Sequence, residues 1–380
     1  MNENKRHILR IAYDAKRAYL NYRGLGNYCR NLFAQMARYY SENEYWLCTP
    51  KDEGLFPWLN ENPFERVMPS GLWSLSPSVW RMYGIPGALE GKGINIYHGL
   101  SQELPNGIER LGCKTIVTMH DAIFMRHPEL YSAAYRRSFI RRNESACRRA
   151  DLIIAISEQT KCDYMAFFGV EEQRIKVIYQ GCNDIYWQPC SEEQILRIKQ
   201  HYHLPSEYIL SVGALEPRKN QLRLIKAIAI AETGLPLILI GRGNTTYKKE
   251  LTKMAMQHNV QLHIIENATL EDLPILYHLA SLFVYPSLFE GFGIPVLEAA
   301  RCQTPIIASS GICFEEIVGN GALYASPTDI EEISDAIRRT LQDSALTSQR
   351  VTVALQNTEK FQSKTIAHNM METYHQLCSV

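Results

Sequence analysis

No uninterrupted apolar run in the 380 residues approaches the ~20 needed to cross a bilayer as a helix. The opening MNENKRHILRIAYD is also too polar for the apolar core of a signal peptide. Net charge is lacking as well: 40 Lys+Arg balance 40 Asp+Glu, so no global field draws the chain to nucleic acid. The ten cysteines make no C-x-x-C pair and no zinc spacing. Several stand in apolar runs, where free Cys packs as a small hydrophobe, and a reducing cytoplasm is the expected compartment. No D-x-D pair stands between a strand and a loop, so neither a metal site nor a cofactor is expected.

What is present is a soluble globular composition, 46% hydrophobic and 21% charged, in a chain too long for one ordinary core. Short β-rich runs alternate with helix-patterned stretches, the sign of parallel sheets joined by crossover helices. The predicted strands of the first half are Ile8–Tyr13, Tyr45–Thr49, Ile94–His98, Thr115–Met119, Leu152–Ile156 and Ile175–Tyr179. Those of the second are Tyr208–Val212, Leu235–Ile240, Leu262–Ile265, Leu282–Tyr285 and Pro305–Ser309. The expectation is α/β, with two Rossmann-like doubly wound domains that meet near Cys182–Ser191. Their bounds are set at 1–186 and 187–361, with a final helix at about 362–380 returning to the first. The segment Pro69–Leu89 reads as a long loop or short irregular helix.

The most informative stretch is LFVYPSLFEGFGIPVLEAA, residues 282–300. A strand ends at Pro286, a turn holds Gly291 and Gly293, and Pro295 opens a helix. Ligands in open α/β sheets bind beyond the carboxyl ends of strands, where this turn must lie. Glu290 and Glu298 bracket the turn. They either cap and solvate a helix start or bind a ligand's hydroxyls. Upstream, VGALEPRKN leaves a strand at Gly213 and brings Arg218 and Lys219 to a helix N-terminus. Cations there oppose the helix dipole, and a bound anion would account for them. A surface cluster is the alternative.

These segments resemble the E-x7-E signature and the phosphate-binding segment of the retaining glycosyltransferases with the GT-B fold, often called family 4 or group 1. The resemblance implies that the two Rossmann-like domains face each other across a cleft, that Glu298 binds the nucleotide ribose and that Glu290 binds the donor sugar. The backbone of Gly291, Phe292 and Gly293 would lie against sugar and diphosphate. Gly213 and Lys219 match the phosphate segment, and Ala214 stands where many members carry arginine, so Arg218 is the candidate for the second cation. In the first half, Gly24 and Gly26 form a G-x-G turn whose third dinucleotide-fingerprint position is Cys29, which disfavours an NAD enzyme. In the family this loop approaches donor phosphate or acceptor. The strand ending in T-M-H-D places His120 toward the donor sugar, with Asp121 as its orienter. His98 is a weaker candidate.

The implied reaction is metal-independent hexosyl transfer with retention from a nucleotide-diphosphate sugar to a saccharide or lipid-linked glycan, in polysaccharide biosynthesis. Lys219, Glu290 and His120 would do the catalytic work. The lack of arginine at Ala214 resembles bacterial polysaccharide mannosyltransferases and points to GDP-mannose. A UDP-hexose donor, a nucleotide-sugar epimerase and a non-catalytic binder stand as alternatives. Trp73, Trp80 and Tyr83 would offer an acceptor an apolar surface. The arginine-rich region Tyr131–Ala150 reads first as a solvated face and second as a peripheral contact with the inner face of a membrane.

Overall fold

Ile, Leu and Val fill the strand runs without the alternation of a half-exposed sheet, as befits parallel strands covered on both faces. In the structure, a computed structural model that describes residues 8–22, 24–61 and 63–379, these runs build two wholly parallel sheets. The first joins β1 (Arg10–Asp14), β2 (Glu44–Cys48), β3 (Phe64–Val67), β4 (Ile96–Gly99), β5 (Lys114–Met119), β6 (Leu152–Ala155) and β7 (Ile175–Val177) in the order β3-β2-β1-β4-β5-β6-β7. The second joins β8 (Ile209–Val212), β9 (Leu237–Ile240), β10 (Leu262–Ile265), β11 (Leu282–Tyr285), β12 (Ile306–Ser309) and β13 (Leu323–Ala325) in the order β10-β9-β8-β11-β12-β13. The order reverses between β1 and β4 and between β8 and β11. Each reversal opens a crevice at the carboxyl edge.

The chain divides into two units, one running to Gln180 and resuming at Ser363, the other Gly181–Gln362. In the first unit, Trp46, Trp80, Tyr97 and Tyr164 are among the large core side chains. In the second, Leu224, Ile228, Leu239, Leu251 and Ile337 pack under the sheet. The final helix, Ser363–Cys378, places Tyr374 in the first unit's core, where its hydroxyl lies 2.7 Å from His98 Nδ1.

Two expectations need correction, the glycine turn and Trp80 as part of an exposed surface. Gly24 and Gly26 do not make a turn, because both lie in the first turn of helix Gly24–Tyr39. A Cβ on Gly26 would come within 1.7 Å of the Asn21 carbonyl oxygen, so close packing of the helix start is what demands glycine there. Arg23, immediately before Gly24, lies outside the described residues. The segment after β3 forms a 3-10 turn (Gly71–Leu75) and two short helices (Pro77–Tyr83 and Ile85–Leu89). Trp80 is core at 1% exposure, while Trp73 and Tyr83 are exposed with Leu72 and Leu75. Half-buried Arg81 fastens this segment by pairing with Asp14 at 2.6 Å and with Glu103. Within the basic helix Ala133–Arg149, Arg142 pairs with Glu103 and Arg149 with Glu109, so these two arginines serve structure.

Candidate active site

The loops at the carboxyl ends of β8 and β11 bring a cluster of charged residues together. β8 leaves the sheet through Gly213 (φ 148°), and Gly241 after β9 passes so close that a Cβ on it would lie 1.8 Å from the Gly213 carbonyl oxygen. Leu215 and Gly243 then pair as an isolated bridge. The chain turns through the 3-10 helix Pro217–Lys219, and Asn220 takes a left-handed conformation (φ 64°) before helix Gln221–Ala231. The Asn220 amide donates to the carbonyls of Pro286 (2.9 Å) and Pro327 (2.6 Å). Leu288 N–H donates to the Arg218 carbonyl at 2.9 Å. The basic turn and the loop after β11 are thereby sewn together.

Three charged side chains meet there. Lys219 Nζ lies 2.5 Å from Glu290 Oε1, and Arg218 Nη1 lies 2.9 Å from the same oxygen. Arg218 also donates to the Phe289 carbonyl at 2.8 Å and to Glu216 at 2.7 Å. Lys219 Nζ donates to the Tyr285 hydroxyl at 2.5 Å and sits 4.8 Å from the centre of that ring. Burial raises the Glu290 carboxyl, but the adjacent Lys219 and Arg218 charges outweigh it and hold its pKa down to about 2. Burial also lowers Lys219, against the pull of Glu290. At neutral pH the carboxylate is ionised beside Arg218 and Lys219.

The glycine-rich loop is braced from beneath. Phe292 is buried and meets Phe361 edge to face. The Cys313 thiol donates to the Phe292 carbonyl at 2.8 Å and the Glu290 carbonyl at 3.4 Å. Gly293 (φ 110°) precedes helix Ile294–Arg301, which carries Glu298. That carboxyl is held apart from the ion cluster: the Tyr277 hydroxyl donates to its Oε2 at 2.9 Å. Burial raises its pKa to about 7 in spite of the hydroxyls of Tyr277 and Tyr186. Among the described residues, no group of three or more His, Cys, Asp or Glu side chains is placed to hold a metal ion.

In the first unit His120 lies just beyond β5, buried, with the Tyr28 ring packed edge-on against it. Its Nε2 is 2.8 Å from the Leu100 carbonyl, which can only accept, so this nitrogen carries the proton and Nδ1 keeps a lone pair. Burial lowers its pKa to about 4, so the ring is neutral at physiological pH. Asp121 Oδ1 instead receives the Ile123 N–H at 3.1 Å, and the backbone of Leu100 orients the histidine. His98 has Tyr374 and Thr118 hydroxyls on its two nitrogens at 2.7 and 2.8 Å and is a core residue.

The structure therefore brings Arg218, Lys219 and Glu290 together beside the backbone of Gly213 and Gly291. Sequence reading missed Tyr285, Tyr277 and Cys313. Tyr285 had a legible signal, since the last residue of a strand stands at the ligand-binding edge. Tyr277 and Cys313 arrive from other elements and had none.

Comparison with known proteins gives this arrangement a context. Residues 22–184 match the family model described as Glycosyltransferase Family 4, and residues 193–356 match Glycosyl transferases group 1. O-antigen chain mannosyltransferase B of Escherichia coli is 31% identical over 256 residues, covering 66% of this chain and 66% of that protein. Serotype-specific mannosyltransferase WbdA of Escherichia coli is 30% identical over 273 residues, covering 70% of this chain but only 34% of that protein. The chain thus spans just under two thirds of the first relative and about a third of the second. Anabaena HepE in complex with UDP-glucose has the same fold, with a TM-score of 0.76 at 21% identity, covering 97% of this chain and 100% of that one.

Proposed function

The chain belongs to the group 1 and family 4 glycosyltransferases with the GT-B fold, and from that premise we propose that it transfers a hexose from a nucleoside-diphosphate sugar to a glycan, with retention and without a metal ion. The observation that carries this reading is the Arg218–Lys219–Glu290 cluster at the carboxyl edge between β8 and β11. Two cations and a glycine-lined backbone suit a diphosphate. Glu290 is the sugar's carboxylate and Glu298, on the helix beyond, is the ribose's.

The bond that breaks runs from the anomeric carbon to a phosphate oxygen, and the charge that grows on that oxygen falls to Lys219 and Arg218. The acceptor hydroxyl attacks from the face the diphosphate leaves, and its proton passes to the departing diphosphate. His120, neutral and with Nδ1 as an acceptor, suits a hydroxyl of the donor sugar. Gly24, at the start of a 16-residue helix, offers backbone amides to the donor phosphate or the acceptor, and Gly26 lets that helix start pack closely.

GDP-mannose is the donor we favour, because the two relatives described above are mannosyltransferases. A UDP-hexose is the second reading, prompted by the structural neighbour with UDP-glucose. The acceptor is a saccharide or lipid-linked glycan of a growing polysaccharide. Exposed Leu72, Trp73, Leu75 and Tyr83 suit an apolar carrier and peripheral contact with a membrane's inner face. Among the described residues no helix is long and apolar enough to cross a membrane.

The test is incubation with labelled nucleotide sugars, with and without acceptor glycans, in excess EDTA. Label should enter an acceptor with the donor's anomeric configuration kept. A new nucleotide sugar formed without acceptor would identify an epimerase, binding without turnover a non-catalytic protein, and activity restored only by manganese would end the metal-independent mechanism.

A further inference from the structure

Glu290 has two claims on it. In the proposed reaction it faces the donor sugar, yet its Oε1 is bonded to both Lys219 and Arg218. A diphosphate drawn to those cations must compete with this carboxylate for the same N–H donors. The lysine then needs another fixed point if its ammonium is to stay aimed.

Tyr285 has the properties of such a point. It is the last residue of β11, 2% exposed, and its ring packs 5.7 Å from Phe283 and 5.5 Å from Phe314. Its place is set by the core. Its hydroxyl accepts from Lys219 Nζ at 2.5 Å while its ring lies 4.8 Å from the same nitrogen. An ammonium has three N–H donors, so Tyr285 can keep one while phosphate oxygens take others. Glu290, by contrast, stands on the loop that runs into Gly291 and Gly293. The ring face adds attraction for the cation without competing for its donors.

Building on the donor-site reading above, we infer that Tyr285 is the positioning residue for Lys219, holding its ammonium in place while the donor's diphosphate displaces Glu290 from it. The two partners of the lysine then have opposite effects on one measurement. Tyr285 helps the diphosphate to bind, and Glu290 resists it until the carboxylate turns to the sugar.

The experiment is calorimetric binding of GDP, UDP and the corresponding nucleosides to the intact chain and three variants. Tyr285→Phe keeps the ring and the packing volume. It should weaken the nucleoside diphosphate roughly tenfold, the scale of one hydrogen bond to a charged group, and leave nucleoside affinity unchanged. Glu290→Gln should tighten the nucleoside diphosphate roughly fivefold, the scale of one released ion pair, while turnover with donor falls. Lys219→Ala separates this inference from the reading beneath it. If Lys219→Ala leaves diphosphate binding intact, the phosphate site itself is misplaced. If Lys219→Ala weakens binding but Tyr285→Phe is silent, or lowers nucleoside and diphosphate affinity alike, Tyr285 is a core residue only. Weaker diphosphate binding by Glu290→Gln would overturn the competition.

Discussion

At Lys219 burial and charge pull in opposite directions: desolvation lowers its pKa, and the adjacent Glu290 opposes that shift. A buried amine beside Arg218 is suited to a developing anion. Lys219→Ala should lower turnover at saturating donor by roughly 10²–10³, as loss of one oxyanion partner does, and a near-normal rate would remove Lys219 from the reaction. Glu298 poses the opposite case, a carboxyl raised to about 7 by burial. Ribose hydroxyls donate, so they favour the carboxylate over the acid. Binding therefore pulls the Glu298 pKa down and releases a proton, and affinity for the nucleoside diphosphate rises as pH climbs through 7. The gain between pH 6 and 8 should be roughly tenfold, after subtraction of the slope measured on Glu298→Gln. Equal slopes for the two proteins would show that Glu298 does not meet the nucleotide. Which residues carry charge was legible in the sequence. That Glu290 bonds both cations while Glu298 bonds Tyr277 was not, because those distances depend on how separate elements pack.

Eleven strands could be read from runs of Ile, Leu and Val, since parallel strands covered on both faces are near-continuously apolar. The two that escaped, β3 and β13, are edge strands of four and three residues. An edge has one neighbour, so FERV and LYA keep polar or half-exposed residues that blur the pattern. Glycine was harder to interpret. Gly24 and Gly26 resemble a phosphate turn by spacing, and close packing of a helix start asks for the same residue. At Gly293 the demand is conformational: φ is 110°, and a Cβ would lie 2.5 Å from the Phe314 ring. Gly293→Ala should cost about 1–3 kcal/mol and depress donor turnover by shifting the loop that carries Glu290. Thermal melting beside kinetics checks this, and an unchanged melting temperature would mean that the loop accommodates a side chain.

Across the whole molecule, the second unit is a continuous piece of chain and the first is completed by the final helix. Tyr374 supplies the hydroxyl on His98 Nδ1 deep in the first unit. Tyr374→Phe keeps the packing and strands that nitrogen, at a cost of about 1–3 kcal/mol. Melting should show the loss with nucleoside diphosphate affinity unchanged, because Arg218, Lys219, Glu290 and Glu298 all lie in the other unit. A fall in affinity without a fall in stability would contradict that division. The amino-acid sequence by itself determined the class of fold, the two parallel sheets and the motif that identifies a glycosyltransferase, because hydrophobic period, turn residues and motif spacing are local. Tertiary structure alone decided which oxygen Lys219 meets, why Gly26 is glycine, that Trp80 is core and Trp73 is not, and that His120 is oriented by the Leu100 carbonyl. Each of these depends on atoms far apart in the chain, whose approach is set by packing in three dimensions.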